Sequence, residues 1–150
     1  MTTTDRRLAG AAWPDVATLI PHRPPMLLVE RIVDVFDDGI VCAGRVPADG
    51  PLARGGTASA FLAVELAAQA AAALEALRRA PGGGEPRIGY LASIRDARFA
   101  VPELPAGSPL LATVRSVGSV PPLAMYSAVV TLAEHGDELL TATLSTYLVG

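Results

Sequence analysis

The chain has 150 residues, of which 51% are hydrophobic and 18% charged, and this balance predicts one compact domain with a sizeable core. A formal net charge of −3 without a basic arm excludes a general attraction to nucleic acid. All 12 basic residues are arginines, which excludes lysine Schiff-base chemistry, and one cysteine with two histidines excludes both a disulfide framework and the usual zinc sites. We expect no metal and no cofactor.

The N-terminal part of the chain predicts a polar segment followed by a stiff loop. Residues 1–12 are expected to be loose, and Asp15–Ile20 to form a short helical turn after Pro14. The apolar run after Arg7 is too short for a secretory signal, so we expect a cytoplasmic protein that does not enter a membrane. The segment Ile20–Met26 contains three prolines, which restrict the backbone around His22.

Alternating and β-branched residues predict the strands of an antiparallel sheet. Six strands are predicted: Leu27–Phe36, Ile40–Val46, Arg87–Phe99, Leu110–Val117, Leu123–Ala133 and Leu139–Val149. Turns at residues 37–39 and 134–137 join two hairpins, while residues 47–56 and 102–109 are expected to be loops.

The stretch Thr57–Arg79 predicts one long central helix, because alanine and leucine dominate it. Gly55 and Gly56 precede it, and Thr57 or Ser59 is expected to cap its first turn. Since apolar residues occur on every face, we expect the helix to be surrounded by the sheet. The fold class is therefore α+β, with a curved sheet wrapped around one helix.

Two polar residues are candidates for chemistry. Glu65 is the single carboxylate in the apolar middle of the helix, and Gln69 lies one turn later, where its amide can hold that carboxylate. His22 lies in the stiff loop, and an imidazole with a buried carboxylate forms a competent acid/base pair. A structural role for each remains open. We expect His135 to be a turn residue and Cys42 an inert buried thiol.

Two motifs resemble those of the β-hydroxyacyl-(acyl-carrier-protein) dehydratases. Residues 19–31 read Leu-Ile-Pro-His-Arg-Pro-Pro-Met-Leu-Leu-Val-Glu-Arg, similar to the opening signature Leu-Pro-His-Arg-x-Pro-x-Leu-Leu-Val-Asp-Arg. Residues 65–71 read Glu-Leu-Ala-Ala-Gln-Ala-Ala, similar to the helix signature Glu-x-x-Ala-Gln-Ala. Within that family, the chain resembles the dehydratase-like proteins of aryl-polyene and polyketide-type clusters.

That resemblance implies a hotdog fold in dimers or multiples of dimers, or a heterodimer with a related hotdog protein. It implies that His22 removes the α-proton of a β-hydroxyacyl thioester, that Glu65 helps to expel the β-hydroxyl as water, and that the two come from different protomers. Gln69 would orient Glu65, and the backbone N–H of Ala60 would polarise the thioester carbonyl. The partner would be an acyl carrier protein bearing a phosphopantetheine-linked chain. Its candidate contacts form one arginine cluster: Arg78, Arg79, Arg87, Arg95 and Arg98.

The stretch before the helix departs from the family pattern. The family usually has Gly-His-Phe-Pro-Gly and then Pro-Gly, whereas residues 49–60 read Asp-Gly-Pro-Leu-Ala-Arg-Gly-Gly-Thr-Ala-Ser-Ala. Three functions are therefore weighed: a dehydratase, a hotdog thioesterase, and a non-catalytic acyl-binding partner of a true dehydratase. The loop histidine His22 favours dehydration over hydrolysis.

Overall fold

A computed structural model of the chain describes residues 13–79 and 89–149. The predictions for residues 1–12 and for Arg87 lie outside these ranges. The described residues form one α-helix, α1 (Leu62–Arg79), preceded by a short 3-10 turn at Val16–Thr18 that Asp15 caps through its side chain. The strands are β1 Val29–Val35, β2 Gly39–Arg45, β3 Ala53–Arg54, β4 Thr57–Ser59, β5 Gly89–Phe99, β6 Glu103–Pro105, β7 Pro109–Val120, β8 Leu123–Leu132 and β9 Glu138–Leu148.

Six of these strands form the predicted antiparallel sheet, in the order β1-β2-β7-β8-β9-β5. Buried and partly exposed residues alternate along β7 and β9, as expected when one face of a sheet covers a core. The helix lies on that inner face and contacts β1, β2, β7, β8 and β9. The predicted sheet of six strands around one helix is confirmed, with strand ends that shift by a few residues.

Small residues let α1 lie close to the sheet. Ala63, Ala67, Ala70 and Ala71 have no exposed surface, so these helix positions contact the core without a bulky side chain. On the sheet, a Cβ at Gly44 would lie 2.7 Å from a methyl carbon of Leu66 and 2.7 Å from a backbone carbonyl oxygen. A glycine is needed there because the helix approaches so closely.

The predicted start of the helix is wrong. Residues 57–59 form β4, which pairs with β3 and β6 in a second, three-stranded sheet. The strands β3 and β6 lie in the two stretches that were expected to be loops. Gly55 and Gly56 have φ values of 61° and 83°, so the chain reverses there instead of entering a helix. Ala58 then pairs with Leu104, and both are buried. This tertiary pairing overrides the local helix propensity.

Ser59 holds the chain between β4 and the helix. Its hydroxyl accepts a hydrogen bond from the N–H of Phe61 at 3.2 Å, ahead of the first helical residue, Leu62. Thr57 instead donates to the carbonyl oxygen of Arg54 and to Glu103. Neither residue caps the helix at the position that the sequence predicted.

Strand β5 forms one edge of the main sheet. It pairs with β9 alone among the described strands, and most of its 11 residues are exposed. Its register shifts between Arg95 and Arg98, where Asp96 has a φ of 52°, a conformation that aspartate tolerates better than most residues. Within the described ranges, the helix is not long and apolar enough to span a membrane.

Candidate active site

One face of α1 borders a cavity between the helix and strands β5 and β9. Glu65, Ala68, Ala72 and Glu75 follow the i, i+3, i+7, i+10 spacing that aligns side chains along a helix, and each is partly exposed. These four residues line a cavity of about 200 Å³, closed by His22, Thr146 and the first three residues of β5. The expectation that the helix is surrounded on every face is therefore wrong for the face that carries Glu65 and Glu75. The small alanines on this face leave a groove instead of a packed contact.

His22 and Glu65 meet at one end of this groove. The Nε2 atom of His22 lies 3.7 Å from Oε1 of Glu65, with the two side chains 29% and 37% exposed. Glu65 is thus not the fully buried carboxylate that the sequence predicted, because it faces the groove. Arg23 stiffens the loop further by donating to the carbonyl oxygens of Ile20 and His22 at 2.9 and 2.7 Å.

Gln69 joins the histidine loop to the helix. Its side chain has no exposed surface, and its amide nitrogen donates to Oε1 of Glu65 at 3.1 Å and to the carbonyl oxygen of Met26 at 2.8 Å. Its amide oxygen accepts from the N–H groups of Leu28 and Val29 at 2.8 and 3.3 Å. The predicted contact between Gln69 and Glu65 is present, and the same amide fixes the chain that follows His22.

The pairing of His22 with Glu65 occurs within a single chain. The resemblance implied that the histidine and the acid come from different protomers, whereas this chain brings its own two side chains to 3.7 Å from each other. The reason is the clamp by Gln69, which draws the loop of one chain onto the helix of the same chain.

The N–H of Ala60 is hydrogen-bonded within the chain. It donates to the carbonyl oxygen of Pro102 at 2.9 Å, so it is not free to polarise a thioester carbonyl, and that prediction is wrong. The cause is the second sheet, which draws the chain before the helix against residues 102–105. The N–H of Leu62, the first helical residue, donates no hydrogen bond to the described residues. Helix geometry leaves such first-turn groups available to a ligand.

A second carboxylate, Glu75, lies at the other end of the groove. Its Oε1 accepts hydrogen bonds from the hydroxyl of Tyr126 at 2.6 Å and from that of Thr146 at 3.3 Å. Burial, together with the hydrogen bond to Glu75, raises the pKa of Tyr126 far above its usual range, so the phenol stays protonated and donates. Sequence reasoning missed this end of the groove. The signal available in the sequence was the position of Glu75 ten residues after Glu65, which places both carboxylates on one face of the helix.

The arginines do not form the predicted single cluster. Arg78 and Arg79 line a cavity with Leu148, while Arg98 lines another with Leu140. Leu148 pairs with the first residue of β5 and Leu140 with its last, so the two groups lie at opposite ends of an extended strand. Arg95 is exposed on the same strand as Arg98.

The remaining candidates are structural, as predicted. His135 is exposed in the turn between β8 and β9. Cys42 is fully buried, and burial raises the pKa of its thiol to about 12, so it stays protonated and unreactive. Within the described ranges, no group of three or more histidine, cysteine or acidic side chains could hold a metal ion.

Known proteins resemble this chain in sequence and in fold. Residues 14–149 match the family model of the ApeP-like proteins, described as ApeP dehydratase. The 3-hydroxyacyl-[acyl-carrier-protein] dehydratase FabZ of Thermus thermophilus is 33% identical over 144 residues, covering 91% of this chain and 96% of that protein. FabZ of Brucella ovis is 31% identical, covering 82% and 80%.

Among solved structures, the dehydratase heterocomplex ApeI:P of Xenorhabdus doucetiae contains a chain that superposes with a TM-score of 0.83 at 25% identity, covering 93% of both chains. A thioesterase-like protein of Streptococcus pneumoniae superposes with a TM-score of 0.57 at 16% identity, which shows a shared fold alone. The predicted hotdog fold is confirmed. With its family model matched over nearly its whole length, the chain belongs to the ApeP-like dehydratase family, which is related to FabZ.

Proposed function

We propose that this protein dehydrates a β-hydroxyacyl thioester on an acyl carrier protein to a trans-2-enoyl thioester, in a fatty-acid, polyketide or aryl-polyene type of synthesis. The observation that carries the proposal is the approach of His22 to Glu65 at 3.7 Å, beside a cavity of about 200 Å³ that runs along the helix from Glu65 to Glu75. Membership of a dehydratase family supports the same reaction.

The two side chains divide the elimination between them. His22 takes the α-proton through Nε2, the electrons of that C–H bond form the carbon–carbon double bond, and the C–O bond to the β-hydroxyl breaks. Glu65 donates a proton to the departing hydroxyl, which leaves as water. The proton on His22 then returns to Glu65, whose Oε1 lies 3.7 Å from Nε2, and this transfer restores both groups.

The thioester carbonyl needs a donor at the start of the helix, because negative charge develops on its oxygen when the α-proton leaves. Since the N–H of Ala60 donates to Pro102, we assign this role to the N–H of Leu62. The positive end of the helix dipole lies there and stabilises the same charge.

The carrier protein is acidic in this proposal and docks at the end of the sheet near Glu65. Phe61, just before the helix, stacks on Phe99 with ring centroids 6.4 Å apart, so the end of β5 lies beside the helix start. Arg98 and Arg95 are exposed near this end, and they are the carrier contacts that we favour over Arg78 and Arg79. Arg87 remains a prediction outside the described residues.

A second hotdog protein is the other expected partner. Strand β5 leaves one edge of the sheet without a neighbour among the described strands, and such an edge pairs readily with another strand. The similarity to a chain of the ApeI:P heterocomplex supports a related protein as that neighbour, and a second copy of this chain is the alternative.

A non-catalytic role within such a pair is the second candidate. It is favoured by the stretch 49–60, which lacks the family's Gly-His-Phe-Pro-Gly motif, and by the engaged N–H of Ala60. In that case the groove binds an acyl chain, and the partner performs the chemistry.

Mass spectrometry of a β-hydroxyacyl carrier protein incubated with the purified protein separates these functions. Loss of one water supports the dehydratase, release of the free acid supports a thioesterase, and an unchanged carrier supports the non-catalytic role. A sample of the variant Glu65→Gln, treated identically, shows whether any water loss depends on the proposed site.

A further inference from the structure

The second carboxylate of the groove is built as a hydrogen-bond acceptor. Glu75 uses Oε1 for the hydroxyls of Tyr126 and Thr146, and these two partners are only 2% and 7% exposed. Its Oε2 makes no hydrogen bond with any described residue, and the side chain lines the cavity that also contains Glu65. One oxygen therefore holds the carboxylate in place, while the other is available to a ligand.

The position of Glu75 relates it to the bound chain. Ten residues of helix separate it from Glu65, a distance of about 15 Å at the usual rise per residue. Ala68 and Ala72 lie between the two carboxylates on the same face and leave room along the groove. A chain whose thioester reacts at Glu65 extends past these alanines towards Glu75. Its far end meets a carboxylate, a poor neighbour for a methyl group.

We propose that Glu75 is a specificity-determining residue, which selects acyl chains that end in a hydrogen-bond donor such as a hydroxyl over saturated chains of equal length. This inference rests on the proposed function, because it takes the reacting thioester to lie at His22 and Glu65. It extends the proposed function by naming the chemical group expected at the far end of the substrate.

A purely structural role for Glu75 is the competing explanation. Its hydrogen bonds connect α1 to β8 and β9, so it could serve only to hold the helix on the sheet. Such a role predicts that replacing Glu75 lowers stability and leaves the ranking of ligands unchanged. The two explanations therefore predict different results when the binding of the two kinds of ligand is measured.

The probes are pantetheine amides, which cannot be dehydrated or hydrolysed at the thioester position. Two series of increasing chain length are used, one ending in methyl and the other in a hydroxyl in place of that methyl. Titration calorimetry with the wild-type protein should show a preference for the hydroxyl of about 10- to 100-fold, the range of a hydrogen bond to a charged acceptor. The preference should appear only in chains long enough to reach Glu75.

The decisive variant combines Glu75→Leu with Tyr126→Phe, because removing both polar partners leaves no unpaired phenol in the core. We expect it to fold, as thermal unfolding will show, and to prefer the methyl-terminated series. Tyr126→Phe alone keeps Glu75 and should keep the preference for the hydroxyl.

Equal binding of the two series by the wild-type protein overturns the inference, as does an unchanged ranking in the double variant. Neither result affects the proposed dehydration, since both series still bind. Failure of every probe to bind the wild-type protein contradicts the proposed acyl-binding function itself, and the inference falls with it.

Discussion

The two ends of the groove carry the same residue type on the same helix face, yet their surroundings differ. Glu65 faces His22, an imidazole that can accept or donate a proton, and receives a hydrogen bond from Gln69. Glu75 faces Tyr126 and Thr146, which act as donors and do not exchange protons near neutral pH. Helix position alone thus does not assign a carboxylate its role. The partners, contributed by other elements, decide whether it transfers a proton or accepts a hydrogen bond.

The largest effect is expected at the Glu65 end. His22→Ala and Glu65→Gln should each lower turnover of a β-hydroxyacyl carrier protein by about 100-fold or more, because each removes one member of the acid/base pair. Steady-state water loss, followed by mass spectrometry, measures the effect. His135→Ala, which changes the chain's other histidine in an exposed turn, should retain full turnover. Normal turnover in either site variant would remove that residue from the mechanism.

The same comparison shows what a sequence can and cannot predict here. Residue type and local spacing were sufficient to nominate His22, Glu65 and the Gln69 contact, because an amide four residues after an acid lies on the same face. Tyr126 and Thr146 lie 51 and 71 residues from Glu75, and nothing local connects them to it. Their role depends on sheet pairing that spacing does not reveal.

The fold shows the same difference between features that local sequence predicts and features that depend on tertiary pairing. Hydrophobic alternation predicted the six main strands and their hairpins, because that signal is local. The helix start was misplaced, since Ala58 pairs with Leu104 in a small sheet that only the tertiary structure forms. That pairing also takes the N–H of Ala60, so one error about the fold produced one error about the site.

The hydrogen bonds of Gln69 at the Glu65 end should stabilise the fold as well as hold the histidine loop in place. Gln69→Leu leaves the buried N–H groups of Leu28 and Val29 without the acceptor that Gln69 supplies, and each buried unpaired group costs about 1–3 kcal/mol. We expect the free energy of unfolding to fall by several kcal/mol and turnover to fall with it. Denaturant titration and turnover per folded molecule are the measurements.

Leu140→Ala provides the matched control for this variant. Leu140 is buried on β9 and does not line the groove, and its truncation should cost about 2–5 kcal/mol through a cavity. Turnover per folded molecule should remain at the wild-type level. If Leu140→Ala lowers that turnover as much as Gln69→Leu does, the activity lost in the Gln69 variant reflects general destabilisation and not the clamp.

The smallest effect tests whether the two ends belong to one groove. Ala72 lies between Glu65 and Glu75, so Ala72→Leu should narrow the connection without filling the core. We expect KM to rise by about tenfold for long acyl chains and much less for short ones, since a few extra methyl groups in a pocket discriminate on this scale. The matched control is Ala73→Leu, one residue on and fully buried, where overpacking should cost about 1–3 kcal/mol of stability. Equal KM changes for long and short chains in Ala72→Leu would mean that the acyl chain does not extend towards Glu75. The two carboxylates would then serve separate sites.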